Sequence, residues 1–309
     1  MGILSGLKSM GIDLKNDDLY EDNKSSKEAE AAAAAKASAV EEAKRKAEEA
    51  KNKQVNEEEY LLAKSYTCPV CDGTFKSLTV KANRARVVDM DLDLRPVFDP
   101  IDSLKYNIVS CPKCGYSAFA RIFPNIIASQ KKVVREKISS TFKPDPSIND
   151  KKVYTYEESL GRYELALATA MRTVSKTSEK AYLCLMMSWI IRGQRKTLNK
   201  DEEGYAAKLE EYRSAERELQ QNALEGFAYA RQTEGYPMCG SMDQFTVDYI
   251  IAALYYKSRE FDKSLKMLPD ILVSASASKR IKDKAHDLKD KIMAIKQSGN
   301  IPEPDEIED

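Results

Sequence analysis

Histidine is nearly absent from this sequence: among 309 residues there is one, His286, in a lysine-rich stretch near the C-terminus. Histidine is the commonest general acid or base near neutral pH and the commonest partner of catalytic nucleophiles. Its scarcity argues against ordinary acid–base or nucleophilic catalysis. We therefore expect a protein that is not an enzyme.

Long hydrophobic runs are also absent. The longest is AYLCLMMSWII at 181–191, about half of the roughly 20 residues that a membrane-spanning helix needs. No N-terminal stretch combines a basic start, an apolar middle and a small-residue cleavage site. We therefore expect a cytoplasmic protein with no membrane association.

The sequence also lacks an excess of charge of either sign. Lys and Arg together number 49, and so do Asp and Glu, so no overall field attracts nucleic acid or an anionic membrane. Cysteine is scarce as well, with six residues. Four of the six lie in two Cys-x-x-Cys pairs rather than in a dispersed disulfide framework, which favours metal binding in a reducing compartment.

The composition changes along the chain in steps that predict its organisation. Residues 1–23 predict a tail, and residues 24–63, which are mostly Ala, Glu and Lys without an apolar seam, predict a solvated helical spacer. Residues 64–141 contain the cysteine pairs and end before a segment rich in proline and turn formers. Residues 156–297 have helical periodicity, and residues 298–309 are acidic and predict disorder.

Apolar periodicity predicts several individual elements. Alternation predicts strands near 78–80, 86–94 and 106–109. A helix that closes the cysteine segment is predicted from the helical spacing of Ile126, Ile127, Val133, Val134 and Ile138. A later helix is predicted to bury a face made of Leu160, Tyr163, Leu167, Met171 and Val174.

Nearly the same cysteine turn occurs twice in the sequence, as TCPVCDGTF at 67–75 and as SCPKCGYSAF at 110–119. Two cysteines three residues apart on a tight turn can both bind one ion, and two such turns supply the four thiolates of a closed structural zinc site. Gly115 permits the left-handed conformation that closes the second turn, and Asp72 takes that place in the first. The predicted metal ligands are Cys68, Cys71, Cys111 and Cys114.

The surroundings of the two turns predict a structural role for the metal. An aromatic side chain follows each turn and should cover the site: Phe75, and Tyr116 with Phe119. A segment of about 70 residues has a marginal core, whereas structural zinc contributes on the order of 10–16 kcal/mol to the folding of small sites. We expect one structural zinc ion, and we expect Cys184 and Cys239 to be thiols without metal.

Three other interpretations of the cysteine pairs stay open. A thioredoxin-like redox pair would need one exposed Cys-x-x-Cys that opens a helix, whereas turn residues follow both pairs. Catalytic zinc keeps one position open for water, and four cysteines without a nearby histidine leave none. A rubredoxin-type iron site uses the same four thiolates and similar turns, so the sequence separates iron from zinc poorly.

The cysteine segment also contains two locally basic stretches, KANRAR at 81–86 and QKKVVREK at 130–137, of the kind that attracts phosphates. The acidic DMDLD at 89–93 opposes this attraction, and aromatic residues for base stacking are sparse. Nucleic acid is therefore the alternative partner. We expect the acids of DMDLD to be solvated or in a turn rather than to form the acid pair of an enzyme.

The stretch DYIIAALYYKSREFDKSLKMLPDI at 248–271 resembles a tetratricopeptide repeat. Arg259 stands where that family has a turn glycine, and Ser264 stands where it has a small alanine on the second helix. Pro269 departs from the pattern and predicts a kink. Further matching positions are Ile251, Ala252, Tyr255, Leu268 and Ile271.

Taken together, the two cysteine turns, the Asp-rich segment between them and EGYPMCGSMD before the YIIAALYY helix resemble a bacterial family known as domain of unknown function 2225. The resemblance covers about residues 64–275. It implies a zinc-binding segment followed by repeat-like helices in a cytoplasmic bacterial protein. It implies no established activity, substrate or partner.

The sequence therefore predicts a mainly α fold, with a small β zinc-ribbon-like module followed by a tetratricopeptide-like helical bundle. The function it favours is a non-enzymatic interaction or scaffold protein whose helical surface holds a protein or peptide partner. The alternatives are a nucleic-acid-binding zinc-ribbon module and, less favoured, rubredoxin-like electron transfer through iron.

Overall fold

The computed structural model describes residues 55–302. The predicted tail at 1–23, the Ala/Glu/Lys stretch up to residue 54 and the acidic residues from 303 lie outside the described residues. The remainder, from Asn56 onward, packs as one compact unit. The first strand begins at Leu61, inside the predicted spacer, because Leu61 is buried in a small core with Tyr106 and Tyr154. The predicted domain bounds themselves stay a prediction.

Three antiparallel two-stranded hairpins occupy the first part of the described chain. The first cysteine hairpin pairs β1 (Leu61–Thr67) with β2 (Thr74–Val80). The insert hairpin pairs β3 (Arg86–Met90) with β4 (Pro96–Asp99). The second cysteine hairpin pairs β5 (Ile108–Ser110) with β6 (Ser117–Phe119). Each Cys-x-x-Cys turn is the tip of a hairpin.

Helices follow the hairpins and make up most of the described residues, so the predicted mainly α fold is confirmed. A short helix closes the cysteine segment, and a bundle of longer helices packs around one large core. The helices are α1 (Ala128–Val134), α2 (Tyr156–Arg172), α3 (Thr177–Arg195), α4 (Tyr205–Thr233), α5 (Gln244–Lys257), α6 (Phe261–Val273) and α7 (Lys279–Ser298). In the described part of the chain, every helix is too short or too polar to cross a bilayer.

Local signals account for several helix ends. A capping box begins α2, in which the Glu158 amide donates to Thr155 Oγ1 and the Thr155 amide donates to the Glu158 carboxylate. Such reciprocal bonds satisfy backbone donors that have no partner inside the helix. The turn between α5 and α6 holds Arg259 at φ 62°, which is a conformation that glycine adopts more easily. Ser264 of α6 is buried and donates to the carbonyl of Ala252 on α5 at 2.7 Å.

Two predicted helical faces differ from the structure. Ile126 and Ile127 precede α1, which begins at Ala128 and continues into a π turn over Arg135–Ser139. Met171 and Val174 are 61% and 84% exposed. Val174 lies beyond the end of α2 at φ 52°. Helix α2 instead buries a narrow face that includes Ala166 and Ala170, because small side chains allow β6 and α3 to approach closely.

The insert hairpin reaches the helical bundle through its tip, residues 91–95. The tip inserts Leu92 and Leu94 into the core of the bundle. The hydroxyl of Tyr249 on α5 donates to the Leu92 carbonyl at 2.9 Å, and Lys284 Nζ of α7 donates to the Met90 carbonyl at 2.7 Å. The tip therefore acts as a plug that joins the cysteine segment to the helices.

A buried ion cluster surrounds this plug. Arg192 of α3 has a fully buried side chain and donates to Asp93 at 2.9 and 2.6 Å, to Asp91 at 2.8 Å and to Glu216 of α4 at 2.7 Å. Arg95 pairs with Asp91 at 3.5 Å. Asp91 and Asp93 lie in the turn at the hairpin tip, where the Leu94 amide donates to the Asp91 carbonyl at 3.1 Å, so the expectation of a turn is confirmed. The alternative that these acids are solvated is wrong, because both side chains are buried. Buried charges require partners of this kind, because an unpaired charge is costly away from water.

Candidate metal centre

The two cysteine turns have the same backbone hydrogen bonds. In the first, the Asp72 amide donates to the Cys68 carbonyl at 2.9 Å and the Cys68 amide donates to the Gly73 carbonyl at 2.9 Å. In the second, the Gly115 amide donates to the Cys111 carbonyl at 3.0 Å and the Cys111 amide donates to the Tyr116 carbonyl at 2.9 Å. The repeated sequence therefore folds into a repeated structure.

Both turns close through a left-handed residue, as the sequence predicts. Asp72 has φ 58° and Gly115 has φ 74°. Aspartate tolerates this region better than most side chains, which explains how the first turn closes without glycine. Gly115 is also favoured for a steric reason, since the Cβ atom of any other residue at this position would lie 2.7 Å from the ring of Phe142.

The four predicted ligands come together. The Sγ atoms of Cys68, Cys71, Cys111 and Cys114 all lie within 4.8 Å of one another. Across the two turns, Sγ of Cys68 and Cys114 are 3.6 Å apart, and so are Sγ of Cys71 and Cys111. A disulfide requires about 2.0 Å, so these are separate thiols. Among the described residues, this is the one group of cysteine, histidine or acidic side chains close enough to hold a metal ion.

The sulfur positions fit a tetrahedral metal. Metal–sulfur bonds of about 2.3 Å in a tetrahedron place neighbouring sulfur atoms roughly 3.8 Å apart, close to the two 3.6 Å separations across the turns. The Val70 amide also points to Cys68 Sγ at 3.4 Å, and such a donor stabilises a thiolate. Cys68, Cys111 and Cys114 are buried, whereas Cys71 is exposed. The residues present therefore fit a four-thiolate metal site.

Hydrogen bonds among the thiols shift their pKa values in opposite directions. A hydrogen bond with Cys111 raises the pKa of Cys68 to about 12. Hydrogen bonds with Cys111 and Cys68, together with burial, raise the pKa of Cys114, whereas hydrogen bonds from Cys114 and Cys68 lower that of Cys111. One thiolate is thus favoured at the expense of its neighbours. A divalent cation removes this conflict because it lowers the pKa of every thiol that binds it.

The segment that follows the second turn supports both turns from outside. Arg135 Nε donates to the carbonyl of Val70, between the first two cysteines, at 2.8 Å. Ser139 Oγ donates to the carbonyl of Cys114 at 3.0 Å, and Asn149 Nδ2 donates to the carbonyl of Ser110 at 3.0 Å. Sequence reasoning missed these supporting residues, because their partners are backbone carbonyls that no spacing rule identifies.

The aromatic cover of the site differs in part from the prediction. Phe75 and Tyr116 pack in the core around the cysteines, as expected. Phe123 joins them, with its ring centroid 4.8 Å from that of Tyr116. Phe119 instead stacks on Tyr182 of α3 at 5.5 Å, because alternate residues of a strand point to opposite faces and the far face of β6 meets the helices. The prediction that Phe119 covers the metal is wrong.

The other two cysteines lie away from the cluster. Cys184 is buried on α3, and Cys239 lies in the loop between α4 and α5, where its thiol donates to the Ser178 carbonyl at 3.3 Å. Burial raises the pKa of both thiols, to about 12 for Cys239. Neither therefore resembles a reactive or metal-binding cysteine.

A comparison with protein-family models decides the relationship of this chain to known proteins. The model described as an uncharacterized protein conserved in bacteria, DUF2225, matches residues 61–292. The chain belongs to this family. The matched range includes both cysteine hairpins, the plug and nearly all of the helical bundle, and the family description states no activity. Neither the curated proteins nor the solved structures contain a significant match to the chain.

Proposed function

We propose that the chain is a non-enzymatic zinc-binding scaffold protein whose helical bundle holds a protein or peptide partner. The observation that supports this proposal most strongly is the closed set of four thiolate donors at the tips of two hairpins. Four protein ligands complete a tetrahedron and leave no position for a water molecule or a substrate, which is typical of structural sites. The metal would then stabilise the fold of the cysteine segment, which has only a small hydrophobic core of its own.

Zinc is the proposed metal because four thiolates in a tetrahedral arrangement suit it. Cys68, Cys71, Cys111 and Cys114 would hold the ion. When bound, zinc supplies folding free energy rather than reaction chemistry, since it neutralises thiolates that otherwise compete for one charge. Iron would occupy the same ligands and would colour the protein red, so a visible absorption spectrum separates the two metals.

The helical bundle supplies the proposed partner surface. The α5–α6 pair supports a repeat-like interpretation through two features: Arg259 takes the glycine conformation in its turn, and Ser264 permits close contact between the two helices. Repeat-like helix pairs commonly present extended surfaces to other proteins. Asp91 and Asp93 of DMDLD belong to a buried ion cluster, which leaves them unsuited to catalysis.

Affinity capture from the native cell tests this function. The intact protein and the Cys111→Ser variant are used as baits, each with and without nuclease treatment. The proposal predicts a stoichiometric protein partner that survives nuclease and is retained by the intact bait. Recovery of nucleic acid alone, with binding that falls steeply between low and moderate salt, would instead indicate the nucleic-acid alternative.

A further inference from the structure

A cavity of about 310 Å³ lies between the second cysteine hairpin and the helices, apart from the four thiols. One wall is β6 and the residues just after it. The opposite wall is formed by α2 and α3, and the loop with Cys239 and Gly240 closes one end. This volume is at the lower end of the range for small-molecule sites, so a compact ligand would fill it.

Part of the inner surface of the cavity is apolar. Ala166, Ala170 and Leu183 line it with 2%, 7% and 4% of their surfaces exposed. The stacked rings of Phe119 and Tyr182 also line it. A surface of this kind accepts an aliphatic group, because burial of apolar area is favourable at about 25 cal/mol per Å².

Two opposite charges line the same cavity. Arg121 and Glu179 both lie on its wall. Across residues 55–302, neither side chain forms an ion pair: the hydrogen bond of Arg121 goes to the carbonyl of Cys239. A guanidinium has five N–H donors, so Arg121 retains donors for a ligand. Both charges lie close enough to Cys239 to affect its thiol. Burial raises the pKa of Cys239 most, the charge of Glu179 raises this pKa further, and the charge of Arg121 lowers it.

Two residues with a strained backbone lie at the edge of this cavity. Cys239, which lines it, has φ 48°, and Val174, which lies between the lining residues Thr173 and Ser175, has φ 52°. A left-handed backbone is unfavourable for a β-branched residue such as valine. Strained residues of this kind cluster at ligand sites, where the surrounding structure holds them in place.

We propose that this cavity binds a zwitterionic α-amino acid with a branched aliphatic side chain. Arg121 binds the carboxylate, Glu179 binds the ammonium group, and the apolar wall accepts the side chain. The two opposite charges favour a zwitterion over a ligand with one charge, because only a zwitterion can contact both side chains with complementary groups. The site is separate from the proposed metal centre and from the proposed partner surface.

Calorimetric titration of the full-length protein with L-leucine and two analogues tests the proposal. The analogue 4-methylpentanoate lacks the amino group, and 3-methylbutylamine lacks the carboxylate. We expect saturable binding of L-leucine, and binding of each analogue that is at least about tenfold weaker, since one charged hydrogen-bonding contact is lost. Absence of saturable L-leucine binding would overturn the proposal, and so would equal affinity for either analogue.

Three variants assign the binding to the cavity. Arg121→Gln and Glu179→Gln should each weaken L-leucine binding by at least about tenfold. Arg172→Gln is the matched control, since Arg172 is exposed on α2 and does not line the cavity, and its affinity should equal that of the unchanged protein. Affinity that is unchanged in both cavity variants would contradict the assignment. Circular dichroism verifies that each variant is folded, and the analogue comparison uses the unchanged protein.

Discussion

Arg192 donates to both carboxylate oxygens of Asp93, at 2.9 and 2.6 Å, and both side chains are fully buried. The two residues are 99 positions apart in the chain. Arg192 belongs to a central helix of the bundle, and Asp93 belongs to the tip of the hairpin inserted between the cysteine pairs. Their ion pair therefore fixes the cysteine segment on the helices.

The substitution Asp93→Asn should remove this attachment while preserving side-chain size. Loss of one partner leaves Arg192 buried with less compensating charge, so we expect the free energy of unfolding to fall by about 3–5 kcal/mol. Urea unfolding followed by circular dichroism measures it. Asp89→Asn is the matched control, because Asp89 is exposed on the same hairpin, and it should change stability by less than about 0.5 kcal/mol. Equal effects of the two substitutions would contradict the role of the ion pair.

The same pair predicts a dependence of stability on pH. Burial alone would raise the pKa of Asp93, but the charges of Arg192 and Lys257 and the hydrogen bonds from Arg192 together outweigh burial and hold the pKa of this carboxyl below its ordinary range. Its stabilising effect is therefore complete above the unfolded pKa of about 4 and is lost as pH falls further toward the folded pKa. The difference in unfolding free energy between the unchanged protein and Asp93→Asn should shrink below about pH 4. A constant difference down to pH 2 would show that the pKa of Asp93 is not depressed.

Glycine is required at the second cysteine turn. Gly115→Ala should lower the free energy of unfolding by at least about 1–2 kcal/mol, because alanine is strained in the left-handed region and its Cβ would meet Phe142. Zinc transfer to a chelating dye should also become faster. Gly161→Ala is the control, since nothing lies within 4 Å of a Cβ at this α2 position, and it should stabilise the protein by about 0.5–1 kcal/mol. A Gly115→Ala protein as stable as the control would refute the required turn geometry.

At the turn between α5 and α6, a substitution by glycine should relieve backbone strain rather than introduce it. Arg259 is held at φ 62°, so Arg259→Gly relieves left-handed strain, whereas Arg259→Ala removes the same side-chain contacts and retains the strain. Arg259→Gly should exceed Arg259→Ala in unfolding free energy by about 1 kcal/mol. Thermal and urea unfolding of the two variants measure this difference. An unfolding free energy of Arg259→Ala that equals or exceeds that of Arg259→Gly would show that the turn is not held in the left-handed conformation in solution.

The features that could be predicted from the sequence are those determined by residues that are close together in the chain. The cysteine turns, the left-handed closure at Asp72 and Gly115, and the helices with strong periodicity each depend on a few adjacent positions. The grouping of four cysteines across two turns also follows from local chemistry, because neither turn fills a tetrahedron alone. These local signals were sufficient for the mainly α fold and for the set of candidate ligands.

The features that sequence could not predict depend on distant contacts. DMDLD looks like a solvated acidic stretch until Arg192 and Glu216 are brought to it by two different helices. Phe119 faces the helices rather than the metal because of its register on β6. Val174 is exposed because α2 ends at Arg172, before it, and Met171 is exposed because α2 buries a different face that includes Ala166 and Ala170. In each case, tertiary packing decides which of two locally acceptable positions a side chain takes.

Metal content is the most direct test of the account. Elemental analysis of the protein purified without added metal or chelator should find about one zinc per chain, and Cys111→Ser should lose most of it. Cys184→Ser, which changes a buried thiol outside the cluster, should retain the same content as the unchanged protein. Absence of bound metal in the unchanged protein, or equal content in Cys111→Ser, would contradict the four-cysteine metal centre.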